Sequence, residues 1–549
     1  MASRHKNDTK MKRILLSLCV GAAITAAAQE TYQNATLITE DLNGTARYVG
    51  MGGAMEALGA DISTISTNPA GIGLFRSSSV SASFGFVSQS DTKSFSRGDK
   101  TNVSFDQVGV VYSIRSGKKS FVNVAFNYHK SRNFNQILTA ANTLGNGSQN
   151  IIAYARGMAT GQLGASSYVN DNGATVYEPT FSGSYPAYYS QLDELYNQAV
   201  NFDYTDGNYY SYAASDFTFN RAYTGYIGEY DFNISGNIND RVYLGLTVGI
   251  HDVHYKAYTE YTENLISSAG TALGDVTVTD ERKITGTGFD IKAGIIVRPI
   301  EDSPFRIGFS VASPTFYDLT TKNRTRLDNN SDVGSYDYAD ISNIYDFELY
   351  TPWKFGLSLG HVIGKNIALG ASYEYCDYSS TDTRIKNGGY YDWYYYDYYD
   401  SSDSDHEMND HTERNLKGVS TLKLGLEYKP IPELALRIGY NYVSPTYKDS
   451  SMKGYKDDVL SSYGTAYEST TDYTNWECTN RLTLGAGYTY KKLSVDIAYQ
   501  FSSTNGDFYP FQKDFQLYDS DGLIEESYCT STDVTNKRHQ LIVTLGYRL

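Results

Sequence analysis

Period-two alternation, repeated along most of the chain, leaves few folds open. From Arg241 the sequence reads RVYLGLTVGI, which sets Val242, Leu244, Leu246, Val248 and Ile250 on one face of a strand and Tyr243, Gly245, Thr247 and Gly249 on the other. Leu422, Leu424, Leu426 and Tyr428 alternate likewise with Lys423, Gly425, Glu427 and Lys429, and Leu436, Ile438 and Tyr440 with Arg437, Gly439 and Asn441. The C-terminus keeps the rule: Leu541, Val543, Leu545, Tyr547 and Leu549 oppose Ile542, Thr544, Gly546 and Arg548. The pattern predicts fourteen strands, near 77–90, 103–114, 119–131, 222–237, 241–256, 282–298, 304–314, 349–361, 366–378, 415–429, 433–445, 479–490, 493–502 and 537–549.

Alternation alone also suits a soluble sandwich, but the connections separate the two. Every second one is short (116–118, 238–240, 299–303, 362–365, 430–432 and 491–492), and the others are long, the longest covering about 132–221. An even strand number, short turns at one end and long loops at the other match a barrel in a bacterial outer membrane. Closure also removes the edges that lipid would leave unsatisfied. The expected fold is therefore all-β, a 14-stranded antiparallel transmembrane β-barrel over residues 77–549 with its long loops facing outward.

Residues 44–75 break the pattern. Gly50, Gly52, Gly53 and Gly71 permit tight turns and Pro69 lacks an N–H, so the stretch suits a compact irregular insert, and residues 29–76 are read as an N-terminal plug inside the barrel. The Gly-Met-Gly-Gly run followed by Asn68-Pro69-Ala70-Gly71 resembles the plug of the FadL/OmpP1/TodX family, as do the weaker phrases at 304–308 and 351–356. This resemblance covers most of residues 44–549. It implies passive uptake of hydrophobic small molecules, such as long-chain fatty acids or aromatic hydrocarbons, gated at Asn68, Pro69, Ala70 and Gly71, with a lateral exit through the barrel wall. The implied partners are the hydrophobic ligand, outer-membrane lipid and the barrel-assembly machinery, and the implied state is a monomer. One departure stands out, because such barrels usually end in an aromatic residue and this chain ends in Leu549.

The first residues agree with that destination. Lys12 and Arg13, an apolar run from Ile14 and Ala26-Ala27-Ala28 make a secretory signal peptide cleaved after Ala28, so residues 1–28 are expected to be removed. A net charge of -16 argues against nucleic acid as a partner. Cys376, Cys478 and Cys529 form no CxxC and point to no disulfide framework or zinc site, and the 52 tyrosines suit the aromatic girdles of a membrane barrel.

Several residues are candidates for lumen chemistry. Gly308, Gly356, Gly370, Gly425, Gly439 and Gly485 recur a few residues from the short turns; they either form a seat for the plug or merely let the strands bend. Arg306, Lys354, Glu374, Lys423, Glu427, Arg437, Arg481 and Asp496 face inward and pair with one another, or one cation, with Lys423 and Arg437 as candidates, fixes the carboxylate of an acidic ligand. In the longest loop, Leu192, Leu195, Tyr196 and Ala199 share a helical face, which suits either first contact with substrate or packing of the loop itself. The run at 390–410 reads as a solvated acidic cap, a surface patch, or a Ca²⁺ site through Asp400, Asp403, Asp405 and Glu407.

Catalysis has no visible machinery: His129, His251, His254, His361 and His539 lie on or near strands, and none belongs to a nucleophile motif, so an enzyme is not expected. No cofactor or metal is expected from any motif. A haemin receptor using His406, His411, His251 or His254 is the alternative reading, and a structural or adhesive barrel the other.

Overall fold

In a computed structural model the fourteen strands close into one antiparallel barrel. The structure describes residues 30–549 except 96, 146, 182–188, 389, 393–396, 400, 455–468, 520 and 521. The signal peptide and Asp400 lie outside the described residues. In chain order the strands are β1 (Ser79–Ser90), β2 (Thr101–Arg115), β3 (Phe121–Asn133, resumed at Gln136–Thr143), β4 (Ala213–Ile238), β5 (Val242–Ile266), β6 (Ala272–Val297) and β7 (Arg306–Ala312, resumed at Phe316–Asn329). There follow β8 (Tyr338–Tyr350, resumed at Lys354–Ile363), β9 (Ile367–Asp377, resumed at Asp382–Lys386), β10 (Gly418–Ile431), β11 (Leu434–Val443), β12 (Tyr473–Tyr490), β13 (Leu493–Tyr509) and β14 (Thr532–Arg548). Each pairs with its sequence neighbours, and β14 returns to β1 from Ser79↔Arg548 to Ser90↔Lys537.

The barrel is apolar outside and polar inside. Val110, Phe232, Leu246, Ile291, Leu357, Leu424, Ile438, Leu484 and Leu545 are exposed on its outer face, while Asn123, Asp231, Thr247, Lys423, Asn441, Thr483 and Thr544, on the opposite parity, are buried. Exposed aromatic residues border the belt, with Tyr112, Tyr488, Tyr490 and Tyr547 near the short turns and Tyr230, Phe289, Trp353 and Tyr375 farther up the strands. Such a belt is what lipid surrounds. The short turns use local chemistry: Asn239 and Asp240 both take positive φ, 53° and 56°, as a two-residue hairpin with the strand twist requires.

Several strands run far beyond the lengths read from sequence. β4 and β6 have 26 residues and β5 has 25, against the roughly 10 a tilted strand needs to cross a bilayer. The stretches 316–329 and 338–350, expected as loop, also belong to the wall. Above the lipid the outer face turns polar, as at Thr277, Thr279, Glu281 and Lys283, while Val276 and Val278 of the inner face join the loop-side core, so an apolar outer face no longer marks the strand although the hydrogen-bond ladder continues.

The N-terminal segment fills the short-turn half of the lumen. It contains α1 (Thr31–Ile38), α2 (Ala46–Gly50) and two 3₁₀ turns, Ile62–Ile65 and Pro69–Leu74. Wall glycines meet its backbone. A Cβ at Gly370 would strike the Ala54 carbonyl, at Gly425 the Met51 carbonyl, at Gly439 the Gly52 nitrogen, and at Gly485 it would press on Gly50. Gly308 lies against Asn68, whereas Gly356 faces Ser310 of its own wall. Gly245, Gly294 and Gly360 join the seat, against Pro69 and Ala70, Asn68, and Ala57.

The long-loop end is closed by its own core. α3 (Gln149–Thr160) and α4 (Gln191–Tyr196) bury Ile152, Leu192, Leu195 and Tyr196 against Phe217, Tyr261, Phe508 and Phe511. A further helix, α5 (His406–Asn415), reaches inward to the plug, where Thr31 Oγ1 meets His411 Nδ1 at 2.8 Å.

The glycine seat makes a prediction. In Gly439→Val the new side chain collides with Gly52, which has φ 63° and cannot easily retreat. Overpacking of this kind costs about 1–3 kcal/mol. Limited proteolysis should then cut residues 44–75 while the barrel still migrates as a closed, heat-modifiable form.

Candidate functional site

An irregular segment buried in a barrel needs partners for its backbone, and the wall supplies them. Thr544 Oγ1 accepts from Ala46 N at 2.7 Å. Thr483 Oγ1 donates to Gly50 O at 3.2 Å, Asn441 Nδ2 to Gly52 O at 3.3 Å, Thr247 Oγ1 to Ile65 O at 3.0 Å and Asn123 Nδ2 to Ile72 O at 2.7 Å. Within the plug, Thr45 caps α2, its hydroxyl donates to the Asp61 carboxylate at 2.8 Å and its N–H donates to Ser63 Oγ at 2.8 Å. Asn68 caps the Pro69–Leu74 turn through Ala70 N at 3.1 Å and donates to Phe309 O at 3.4 Å. Asn68, Ala70 and Ile72 have no exposed surface, so this turn is the foundation of the plug.

Ion pairs lock the same region. Lys423 lies 2.9 Å from Glu56 and 3.4 Å from Glu374; Glu427 lies 3.2 Å from Arg47 and 2.7 Å from Arg437, which also meets Asp496 at 2.6 Å. Burial raises the Glu56 carboxyl above its ordinary value, against the pull of Lys423. Lys423 and Arg437, the candidates for a ligand carboxylate, are thus engaged with the plug and its floor.

Nearer the long loops the plug meets a break in the wall. β2 and β3 pair from Arg115↔Phe121 to Gln107↔His129, and among the described residues 101–106 have no partner on the β3 side. β3 shifts register between Lys130 and Arg132 as it turns away. The plug clasps both sides of this gap: Asn43 Nδ2 donates to Asp106 Oδ1 of β2 at 3.2 Å and to Lys130 O of β3 at 3.1 Å. Asp41 N donates to Ser131 O at 2.8 Å, and the Asp41 carboxylate accepts from Asn133 N at 2.9 Å.

Behind the gap, between α1 and the wall, lies a cavity of about 200 Å³. Tyr32, Tyr223, Tyr447, Tyr473 and Trp476 contribute its aromatic lining. Five arginines reach it. Arg221 pairs with Asp472 and Arg282 lies 3.9 Å from Asp280, but Arg132 and Arg538 share only Asp41, at 3.2 and 3.5 Å, and Arg481 donates to Asn441. Burial alone would raise the Asp41 carboxyl; Arg132 and Arg538 outweigh it and hold the group below its ordinary value. At the Asp41 corner of the cavity three guanidiniums, those of Arg132, Arg481 and Arg538, therefore surround one carboxylate.

No family model matches the chain, and no curated protein matches it. Solved structures do. The chain is similar to the toluene transporter TbuX of Ralstonia pickettii at 12% identity and a TM-score of 0.45, over 92% of this chain and 99% of that one. It is similar to a FadL homologue of Pseudomonas aeruginosa at 13% identity and a TM-score of 0.47, over 93% and 99%. The monoaromatic hydrocarbon channel CymD matches at 10% and 0.44, over 92% and 97%.

The remaining sequence candidates are placed apart from the cavity. Leu192, Leu195 and Tyr196 are buried in the closing core, where they pack the long loop, and Leu192 also lines a small cavity with Phe219 and Tyr261. His254 is exposed beside Asp252, His406 is exposed at the start of α5, His251 joins Asp290 within the wall and His411 is buried against Thr31; these four do not converge on an iron site. Asp405 caps α5 through Met408 N at 3.1 Å. Sequence reasoning missed Asp41, Asn43, Arg132 and Arg538, because nothing in local spacing signals that residues some five hundred positions apart meet in the lumen.

His411 gives the site a pH dependence. Burial lowers its imidazole to about 4, so the fold holds it neutral. Its stabilisation is complete above the unfolded value of 6.5 and is lost as pH falls toward 4, about 3 kcal/mol in all. Protection of the amides of residues 408–416, corrected for intrinsic exchange, should drop by about two orders of magnitude between pH 7 and 4. In His411→Asn the profile should be flat.

Proposed function

We propose that the protein carries hydrophobic small molecules with a polar or anionic head, of which long-chain fatty acids are the type, passively across the bacterial outer membrane. The observation that carries the reading is the clasped gap: a barrel obstructed along its axis has an unpaired stretch of wall, with a cavity behind it and plug residues bridging its two edges. A plain diffusion porin needs an open water path, whereas among the described residues the plug occupies the short-turn half of this lumen and a loop-side core packs the other end. Aromatic rings in the cavity suit an apolar chain, and the arginines around Asp41 suit a carboxylate.

The size of the cavity adds a step. At about 200 Å³ it falls below the roughly 300 Å³ at the small end of ligand pockets. A long chain enters only if α1 and residues 39–43 move. α1 packs on the wall through Tyr32, Leu37 and Ile38, and residues 39–43 are held by hydrogen bonds at the gap and by Asp41 pairs with Arg132 and Arg538 that a ligand carboxylate can replace, whereas 46–74 are held by internal ion pairs and the glycine seat. Gating therefore belongs to the segment around Asp41 and Asn43, with Asn68, Pro69, Ala70 and Gly71 as its fixed base. Ligand leaves sideways through the gap between β2 and β3.

A cross-link tests this. In a chain whose own cysteines are replaced, Asn43→Cys and Asp106→Cys joined by a short reducible reagent should lower fatty-acid uptake into proteoliposomes at least tenfold. Reduction should restore it. Uptake that is unaffected by the closed cross-link would contradict the gate.

A further inference from the structure

Beside the gap, within the wall of β3 to β6, six ionisable side chains are buried together. Two rungs of the sheet build the cluster: His129, Glu229 and His251 lie side by side on β3, β4 and β5, and Asp231, Gly249 and Asp290 on β4, β5 and β6. Gly249 leaves the hole they fill, since a Cβ there would stand 2.8 Å from Lys292 Nζ and 3.4 Å from Asp231 Oδ1, and closer still to Asp290. None of the six is more than 7% exposed. Lys292 meets Glu229, Asp231 at 3.3 Å and Asp290 at 2.8 Å.

One ammonium against three carboxylates leaves two negative charges uncompensated in a buried site, which neither lipid nor protein tolerates without a counter-charge. The histidines show where it belongs. His129 presents Nε2 to Glu229 Oε2 and Nδ1 to Asp231 Oδ2, each at 3.5 Å. A neutral imidazole has a single N–H, so one of these contacts sets a lone pair against a carboxylate. Asp231 Oδ2, fully buried, has no hydrogen-bond partner. Donor atoms of His129, Glu229 and Asp231 lie within 4.8 Å of one another. Two ligand atoms held at about 2.05 Å on a tetrahedral ion are roughly 3.4 Å apart; the two 3.5 Å contacts involve opposite nitrogens of His129, so on binding one nitrogen is kept for the ion and the other carboxylate closes in from within the 4.8 Å set.

We propose that His129, Glu229 and Asp231 bind one divalent transition-metal ion, with Zn²⁺ the best fit to a set of one nitrogen and two carboxylates. Its two positive charges cancel the excess. Lys292 neutralises Asp290, and His251, bonded to Asp290 at 3.2 Å, is a flanking residue. A cavity of about 30 Å³ between His251, Asp290, Lys292 and the plug residues Leu37, Ile38, Thr39 and Glu40 adjoins the cluster. His129 is also the last residue of β3 paired with β2, so the ion anchors the strand at the point where the wall opens.

The test uses the full chain, purified in detergent. Titration with Zn²⁺ should show one site per chain, and Co²⁺ in its place should give the visible absorption of a low-coordinate site. Asp231→Asn and His129→Gln should each weaken binding at least 100-fold with the barrel still closed, and His254→Gln, at an exposed position, should leave it unchanged. Lys292→Met, which removes the competing cation, should tighten it about tenfold or more. The proposal is overturned if Zn²⁺ does not bind stoichiometrically, if Asp231→Asn binds as well as the parent, or if the rings of His129 and His251 are both protonated at neutral pH in the presence of Zn²⁺, since protons would then supply the missing charge.

Discussion

The lumen wall hydrogen-bonds the backbone of the segment inside it, and most of the structure depends on that. A plug built of short helical turns and irregular links leaves many of its N–H and C=O groups unpaired within the segment, and each unmet group costs on the order of 1–3 kcal/mol. Thr544, Thr483, Asn441, Thr247 and Asn123 meet them from five strands. Such bonds require the plug backbone to approach the wall closely, which explains the glycines on both sides of the contact. Gly50 against Gly485 and Gly52 against Gly439 are backbone-to-backbone meetings that no side chain would permit.

Different bonds hold the two halves of the plug, and this divides a fixed part from a movable one. Below, Lys423 with Glu56 is a buried pair whose rupture costs about 3–5 kcal/mol, and the half-buried Arg47 reaches the buried Glu427. Above, Asp41 and Asn43 bridge a stretch of wall that cannot close on itself, because β3 turns away from β2 after His129. The unpaired edge takes the plug as its partner. On the proposed function, a ligand carboxylate would compete with Asp41 for Arg132 and Arg538 and so loosen the contact that covers the gap.

The barrel was legible because its rule is local: alternation at Val242–Ile250 or Leu422–Tyr428 marks the lipid face wherever it occurs. The glycines near the short turns were legible for the same reason, since each stands at a fixed distance from a turn. The upper halves of β4 to β8 were not, because above the membrane the apolar residues, such as Val276 and Val278, move to the inner face and the outer face turns polar, so the pattern of the lipid belt is lost. The helical face at Leu192, Leu195 and Tyr196 was read correctly as amphipathic, but amphipathicity does not say whether a ligand or Phe217 and Phe508 cover it. The cavity escaped altogether. Asp41, Arg132 and Arg538 belong to the plug, to a bulge and to the last strand, and only barrel closure brings them together.

Hydrogen exchange across the plug, with and without a long-chain fatty acid, tests the account most directly. The account predicts that ligand speeds exchange at Asp41 and Asn133, whose amides cover the gap, while residues 46–74 keep their protection. Equal exchange with and without ligand, or loss of protection at 46–74 before 41, would contradict it.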